Sequence, residues 1–167
     1  MICDQPALDV ALDQGDLIEG CPVIRLKAVP TGSNALEPVA LHWRRTVVLT
    51  QTCDLANAKT VDANVAEVFD AQLLVDQGIL KSSDIKGPIR GGRVWGWYFL
   101  PADTRLGLPE MIVDLRRLHT IQIDLLRSLI QAGQRRARLQ PLYREHLAKH
   151  FADGFSRIGL PRPYETM

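Results

Sequence analysis

Over roughly the first 120 residues the apolar positions come in short alternating or β-branched runs, and helical spacing takes over only afterwards. Gln14-Gly15-Asp16-Leu17-Ile18 opens a first strand after a glycine turn, and VIRLKAV at 23–29 alternates apolar and basic residues as a half-exposed strand does. PTGSN at 30–34 carries strong turn chemistry. TVVLTQT at 46–52 reads as the central strand, and VAEVF at 65–69 as another. Residues 70–90 break the pattern and predict a short helix plus loop, an insertion in the sheet. Gly91-Gly92 leads into VWGWYFL at 94–100, where Gly96 between two tryptophans predicts a bulge or the close approach of another backbone.

MIVDL at 111–115 is a further strand, and LHTI at 118–121 leads into a helix carrying Leu125, Leu126, Leu129 and Ile130 that ends by Gly133. A last helix starts near Pro141, with Tyr143, Leu147, Phe151 and Phe155 at i+4 spacing, and Gly159-Leu160-Pro161 stops it. Residues 1–14 read as an acidic arm or short helix. Strands first and helices last predict an α+β domain, a small strongly bent antiparallel sheet or barrel with C-terminal helices packed at one side. No composition shift marks a boundary within the 167 residues, so a single domain is expected.

Composition narrows the class. The 46% hydrophobic and 23% charged fractions are those of an ordinary globular protein, and no apolar run approaches the length of a membrane span. The N-terminal residues lack the basic and apolar regions of a secretory leader, so a cytoplasmic protein is expected. Three widely spaced cysteines, Cys3, Cys21 and Cys53, argue against a disulfide framework and against a CxxC zinc site. The net charge of +1 hides an asymmetry: residues 1–80 hold five basic and eleven acidic residues, residues 81–167 fifteen and eight. The basic half is either a solvated helix face or a patch for nucleic acid or an acidic partner.

Chemistry concentrates in HWRRTVVLTQTCD at 42–54, where two arginines precede the central strand and Thr50, Thr52, Cys53 and Asp54 close it. Cys53 is a nucleophile if Arg44, Arg45 or His119 lowers its pKa. Otherwise it is a small core residue, with Asp54 capping the next turn. His119 beside a phosphate would act as a general acid or base; the plain alternative is an exposed or edge-strand histidine. His146 and His150 have the i, i+4 spacing of metal ligands, yet EHLAKH is not HExxH and no third ligand follows, so solvated histidines are expected and no metal or cofactor. Trp43, Trp95 and Trp97 are either core residues or stacking surfaces for unpaired bases, and the period of two puts Trp95 and Trp97 on one face. GPIRGGR at 87–93 lacks the P-loop lysine and reads as a hairpin.

Three of these segments carry a resemblance. QGDLI at 14–18, HWRRTVVLT at 42–50 and MIVDLRRLHTIQIDLL at 111–126 resemble the opening strand, the xRPxVVLS element and the terminal-helix entry of PemK/MazF-type toxins, over about a third of the chain. Thr46 stands where that family has a proline. The resemblance implies an SH3-like barrel and metal-independent cleavage of single-stranded RNA, with Arg44 or Arg45 at the basic position. TQTCD at 50–54 and the tail RLQPLYREHLAKHFADGFSRIGLP are foreign to the toxins and resemble instead a bacterial group with a VLTQxCDL strand end and an RIGLP tail.

Two functions follow as expectations. In the first, the barrel binds RNA or another single-stranded nucleic acid and cleaves it, with Arg44, Arg45 and His119 on phosphate and Thr50, Thr52, Cys53 and Asp54 near the scissile group. In the second, the chain is a non-catalytic adaptor of a phage-defence or stress-response complex that docks through its C-terminal helix onto a protein from the same operon. A thiol enzyme using Cys53 is a third. A second copy of the chain is a further candidate partner.

Overall fold

The computed structural model describes residues 2–25, 40–57 and 59–156. The expected loop at 30–34, the end of the 23–29 strand, the stop at 159–161 and the RIGLP tail lie outside them. Seven strands form one antiparallel sheet: β1 (Cys3–Asp4), β2 (Asp16–Arg25), β3 (Ala40–Val48), β4 (Asp62–Asp70), β5 (Trp97–Leu100), β6 (Met111–Gln122) and β7 (Arg135–Leu139), in the order β1-β7-β2-β3-β4-β6-β5. The helices are α1 (Thr52–Ala56), α2 (Ala71–Asp76), α3 (Ser82–Asp84, continued by a π-turn at Ile85–Ile89), α4 (Ile123–Gln131) and α5 (Pro141–Phe155). The architecture is α+β, a strongly curled half-barrel.

Alternation along the strands builds two faces. Leu17, Val47, Ala66 and Val113 turn inward with Cys3, Leu100 and Leu139, into a core that reaches from one edge strand to the other. Leu147, Tyr143 and Phe151 of α5 cover that core, as their spacing predicts, and the Phe155 ring packs on Phe151. Arg105, from the loop between β5 and β6, donates to the Cys3 carbonyl at 2.9 Å and ties the two sheet edges together. Their neighbours Ile18, Val48 and Val65 turn outward under α1 and α4, while Ile112 and Trp97 turn outward under α2 and the π-turn. The outer face therefore carries two separate apolar clusters with a band of sheet between them.

Several boundaries differ from the sequence reading. The central strand ends at Val48, and Thr52 already starts a helix. The first fourteen residues hold a two-residue edge strand paired with β7 and no helix. Between α4 and α5 runs β7, unforeseen because RRARL reads as a basic stretch although Ala137 and Leu139 alternate into the inner core. β5 starts only at Trp97, so Trp95 and Trp97 do not share a strand face: Trp97 is 7% exposed and Trp95 38%. Gly96, at φ +84°, makes that break, and a Cβ there would lie 2.8 Å from the Arg116 side chain. The Arg116 side chain crosses Gly96 to stack on Trp97 at 3.9 Å, and the backbone of the neighbouring strand approaches it as well, with Leu115 N–H donating to the Gly96 carbonyl at 2.9 Å.

Candidate functional site

β4 places Ala63, Val65, Glu67 and Phe69 on the outer face, so a carboxylate stands where the strand pattern calls for an apolar residue. The register runs Thr46–Glu67–Asp114 across β3, β4 and β6, and puts two carboxylates side by side between the outer clusters. Two bulges lie at this level. In β2 the register slips between Ile18 and Cys21, and in β6 residues 115–117 have no counterpart on β4. Such bulges re-aim side chains, and here the second brings Arg116 and Arg117 round to the carboxylates.

Glu67 is 1% exposed and fully clasped. Arg25 donates through Nη2 to both carboxylate oxygens at 2.7 and 2.8 Å, and His119 Nε2 lies 2.9 Å from Oε1. Arg44 Nε and Arg117 Nη1 stand 3.8 and 3.6 Å from Oε2. Burial by itself pushes the carboxyl pKa up; the hydrogen bonds from Arg25 and His119 and the charges of Arg25 and Arg117 outweigh it and hold the group below its ordinary value. An ionised carboxylate only accepts, so His119 Nε2 carries the hydrogen of that contact. Asp114, equally buried, takes Arg116 at 2.8 and 3.0 Å and Arg117 Nε at 3.3 Å.

The carboxylates lie beneath and the cations above. Arg25, Arg44, Arg116 and Arg117 are each a third to under a half exposed, so solvent meets guanidinium groups whose positions buried acids fix. Beyond Glu67 the strands part, because β3 and β4 pair only over Thr46, Val47 and Val48. The fork opens into a cleft of about 430 Å³ whose lining includes Arg25, Arg44 and Arg117, Leu73 of α2, and Ile79 just after it. Trp43 also lines it, and at 61% exposed it is the most open aromatic ring among the described residues. An anion-binding surface with an adjoining π-face is what such an arrangement offers.

The structure separates the sequence-picked residues into two groups. Arg44 and His119 converge on Glu67. Arg45 lines the same cleft but on the opposite strand face, where Glu19 at 2.6 Å and Asp70 hold it. Thr50, Thr52, Cys53 and Asp54 lie past the other end of β3, and the four strand steps from Arg44 to Val48 alone amount to about 13 Å. Thr50 Oγ1 accepts from the Asn64 backbone N–H at 2.7 Å, and Asp54 pairs with Lys59 at 3.5 Å. Cys53 is exposed, its thiol lies 3.6 and 3.7 Å from the side-chain oxygens of Gln51 and Asp54, and among the described residues no arginine or histidine hydrogen-bonds to it. Cys3 and Cys21 are buried in apolar surroundings; burial raises both pKa values, that of Cys3 to about 11.

His146 and His150 pack their rings on Tyr98, and His146 Nδ1 lies 3.0 Å from its hydroxyl. Among the described residues no group of three or more His, Cys, Asp or Glu side chains could hold a metal ion. The basic tail is also largely engaged: Arg135, Arg138 and Arg144 pair with Asp13 and Asp16. Sequence reading therefore missed Arg25, Glu67, Asp114, Arg116 and Arg117. A signal was there, since VAEVF and IVDL each bury one acid inside an apolar run, and a buried acid requires cations. Neither a protein-family model nor a curated protein sequence matches the chain.

Proposed function

We propose that the cleft at the β3–β4 fork binds single-stranded nucleic acid, RNA in the first instance, on a PemK/MazF-like barrel. One observation carries the reading: Arg25, Arg44 and Arg117 are held on the buried Glu67, and the exposed Trp43, from the other strand face, lines the same cleft. Guanidinium groups fixed from below keep their outer N–H edges for phosphate oxygens. A base stacked on Trp43 adds a contact that tolerates any sequence. Cleavage has less support than binding. The hydroxyls of Thr50 and Thr52 lie past the end of β3, away from Arg44, whereas His119 shares Glu67 with the arginines and is the sequence-picked group placed for proton transfer there.

The adaptor reading has less support. It needs an open apolar stripe on α5, whereas Leu147 is buried and Tyr143 and Phe151 pack on the inner core, leaving Leu142 and Phe155 exposed at the two ends. The test is anisotropy of a labelled mixed-sequence single-stranded RNA in EDTA, with the wild type and an Arg25→Ala/Arg44→Ala/Arg117→Ala variant. Binding in the wild type should weaken with salt at a slope of about −2 if three phosphates are engaged, and the triple variant should lose it. A wild type that leaves the RNA free at low salt sinks the reading. Defined fragments in EDTA, lost in His119→Ala, would extend it to a ribonuclease.

A further inference from the structure

The β3–β4 ladder stops at Thr46 and Glu67, yet β3 runs back to Ala40 and β4 on to Asp70. The register tells which backbone groups face the gap. Pro22 stands opposite Trp43 and has no N–H, so this is a non-hydrogen-bonded pair on the β2 side. Alternation then turns the N–H and C=O of Leu41, Trp43 and Arg45 toward the fork. On β4, the Ala71 N–H donates to the Glu110 carbonyl at 2.8 Å, toward β6, so Val68 and Asp70 direct their backbone groups the other way, also into the fork. Among the described residues none of these groups has a ladder partner, and Trp43 O has only a long contact of 3.5 Å from Arg44 Nη1.

We propose that this open edge accepts an extended peptide by strand addition, one with carboxylates at every second position and apolar residues between them. A strand laid along β3 sends alternate side chains to opposite faces. One face of the gap holds the guanidinium groups of Arg25, Arg44 and Arg117; the other holds the exposed side chains of Leu41 and Trp43, next to the Arg45–Asp70 ion pair that joins β3 to β4 and that an added strand would have to skirt or displace. Acidic residues fit the first and apolar residues the second, while the peptide backbone takes up the unpaired donors and acceptors. The inference goes beyond nucleic-acid binding, because it uses in-plane backbone groups that a phosphate chain does not require.

The experiment uses the full chain and a fluorescein-labelled octapeptide of alternating Glu and Val. Its controls are the same peptide N-methylated at every second residue, a block isomer of equal composition, and the mixed-sequence RNA. The expected result is saturable binding of the alternating peptide that N-methylation weakens about tenfold, the worth of one or two net backbone hydrogen bonds. The block isomer should bind more weakly for lack of face matching. Leu41→Pro, which removes one edge N–H and leaves the β2 ladder intact, should weaken the parent peptide severalfold. Equal binding of the parent, methylated and block peptides would reduce the contact to charge alone and overturn the proposal. So would RNA binding with no saturable peptide binding.

Discussion

Two of the buried carboxylates that arginines clasp, Asp16 and Glu67, sit in clasps that end differently. Asp16 on β2 is held by Arg135 at 3.3 Å and by Arg138 at 2.6 and 2.9 Å. Further guanidinium hydrogens there go to backbone carbonyls of the N-terminal arm: Arg135 donates through its Nη atoms to Ala7 and Ala11, and Arg138 to Ala11. Arg135 is buried with its acid, so that clasp fastens the arm to β7 and closes. Around Glu67 the acid is just as deep, but among the described residues no segment lies over the arginines, and Arg25, Arg44 and Arg117 keep more than a third of their side-chain surface exposed. Arg117 makes ion pairs at 3.3 and 3.6 Å and a face contact with Phe69 at 5.3 Å, with no backbone carbonyl closing over it among the described residues. The same pair chemistry thus yields a fastening in one place and an open cationic surface in the other, and what covers the outer edge of the arginines decides which.

Substitution of the two acids separates these roles. Asp16→Asn should be the most damaging change, costing about 3–5 kcal/mol, because it leaves a buried arginine uncompensated; urea unfolding measures it. Glu67→Gln should cost less, about 1–2 kcal/mol, since its arginines already reach water and can turn outward. A Glu67→Gln variant as unstable as Asp16→Asn would contradict the distinction drawn here.

The pH dependence of Glu67 has a definite sign. Its carboxyl lies below the ordinary value in the folded state, so its stabilisation is fully present above the unfolded carboxyl range, near pH 4.3. That share is lost as the pH falls through the folded value. The stability gap between wild type and Glu67→Gln should therefore be constant at neutral pH and narrow on acidification below about pH 4. A gap that widened with acid would refute the pairing.

Two smaller effects sharpen the open side. Trp43→Ala should weaken RNA binding by about 1–3 kcal/mol, the usual worth of a stacked base. Its effect on the unfolding midpoint should stay within about 0.5 kcal/mol, because the ring is exposed. Cys53→Ser should change neither quantity, since its thiol lies at the far end of β3; loss of an activity in that variant would revive a thiol enzyme.

Much of the fold was legible in the sequence. The short apolar, β-branched runs at 65–69 and 111–115 marked strands, and the Tyr143, Leu147, Phe151 spacing marked the helix that covers the core. β7 was not legible, because its three arginines mask the alternation of Ala137 and Leu139; their charge is absorbed by Asp16 and by a segment some 120 residues earlier in the chain. The candidate site was legible in part. Arg44 and His119 stood out as chemistry-bearing residues, and the structure joins them; Thr50, Thr52, Cys53 and Asp54 stood out by their nearness in sequence to Arg44, and strand extension carries them away.

By itself the sequence determined the class of the fold, because the period of apolar positions is a local property that each strand or helix reads from its own residues. It also determined that acids in apolar strands would need cations. Only the tertiary structure decided which cations. The partners of Glu67 lie 42 and 52 residues away, brought in by the register of three strands and by two bulges that periodicity does not reveal. Whether a clasp is closed or open depends on what passes over it, and that is settled only when the whole chain has packed.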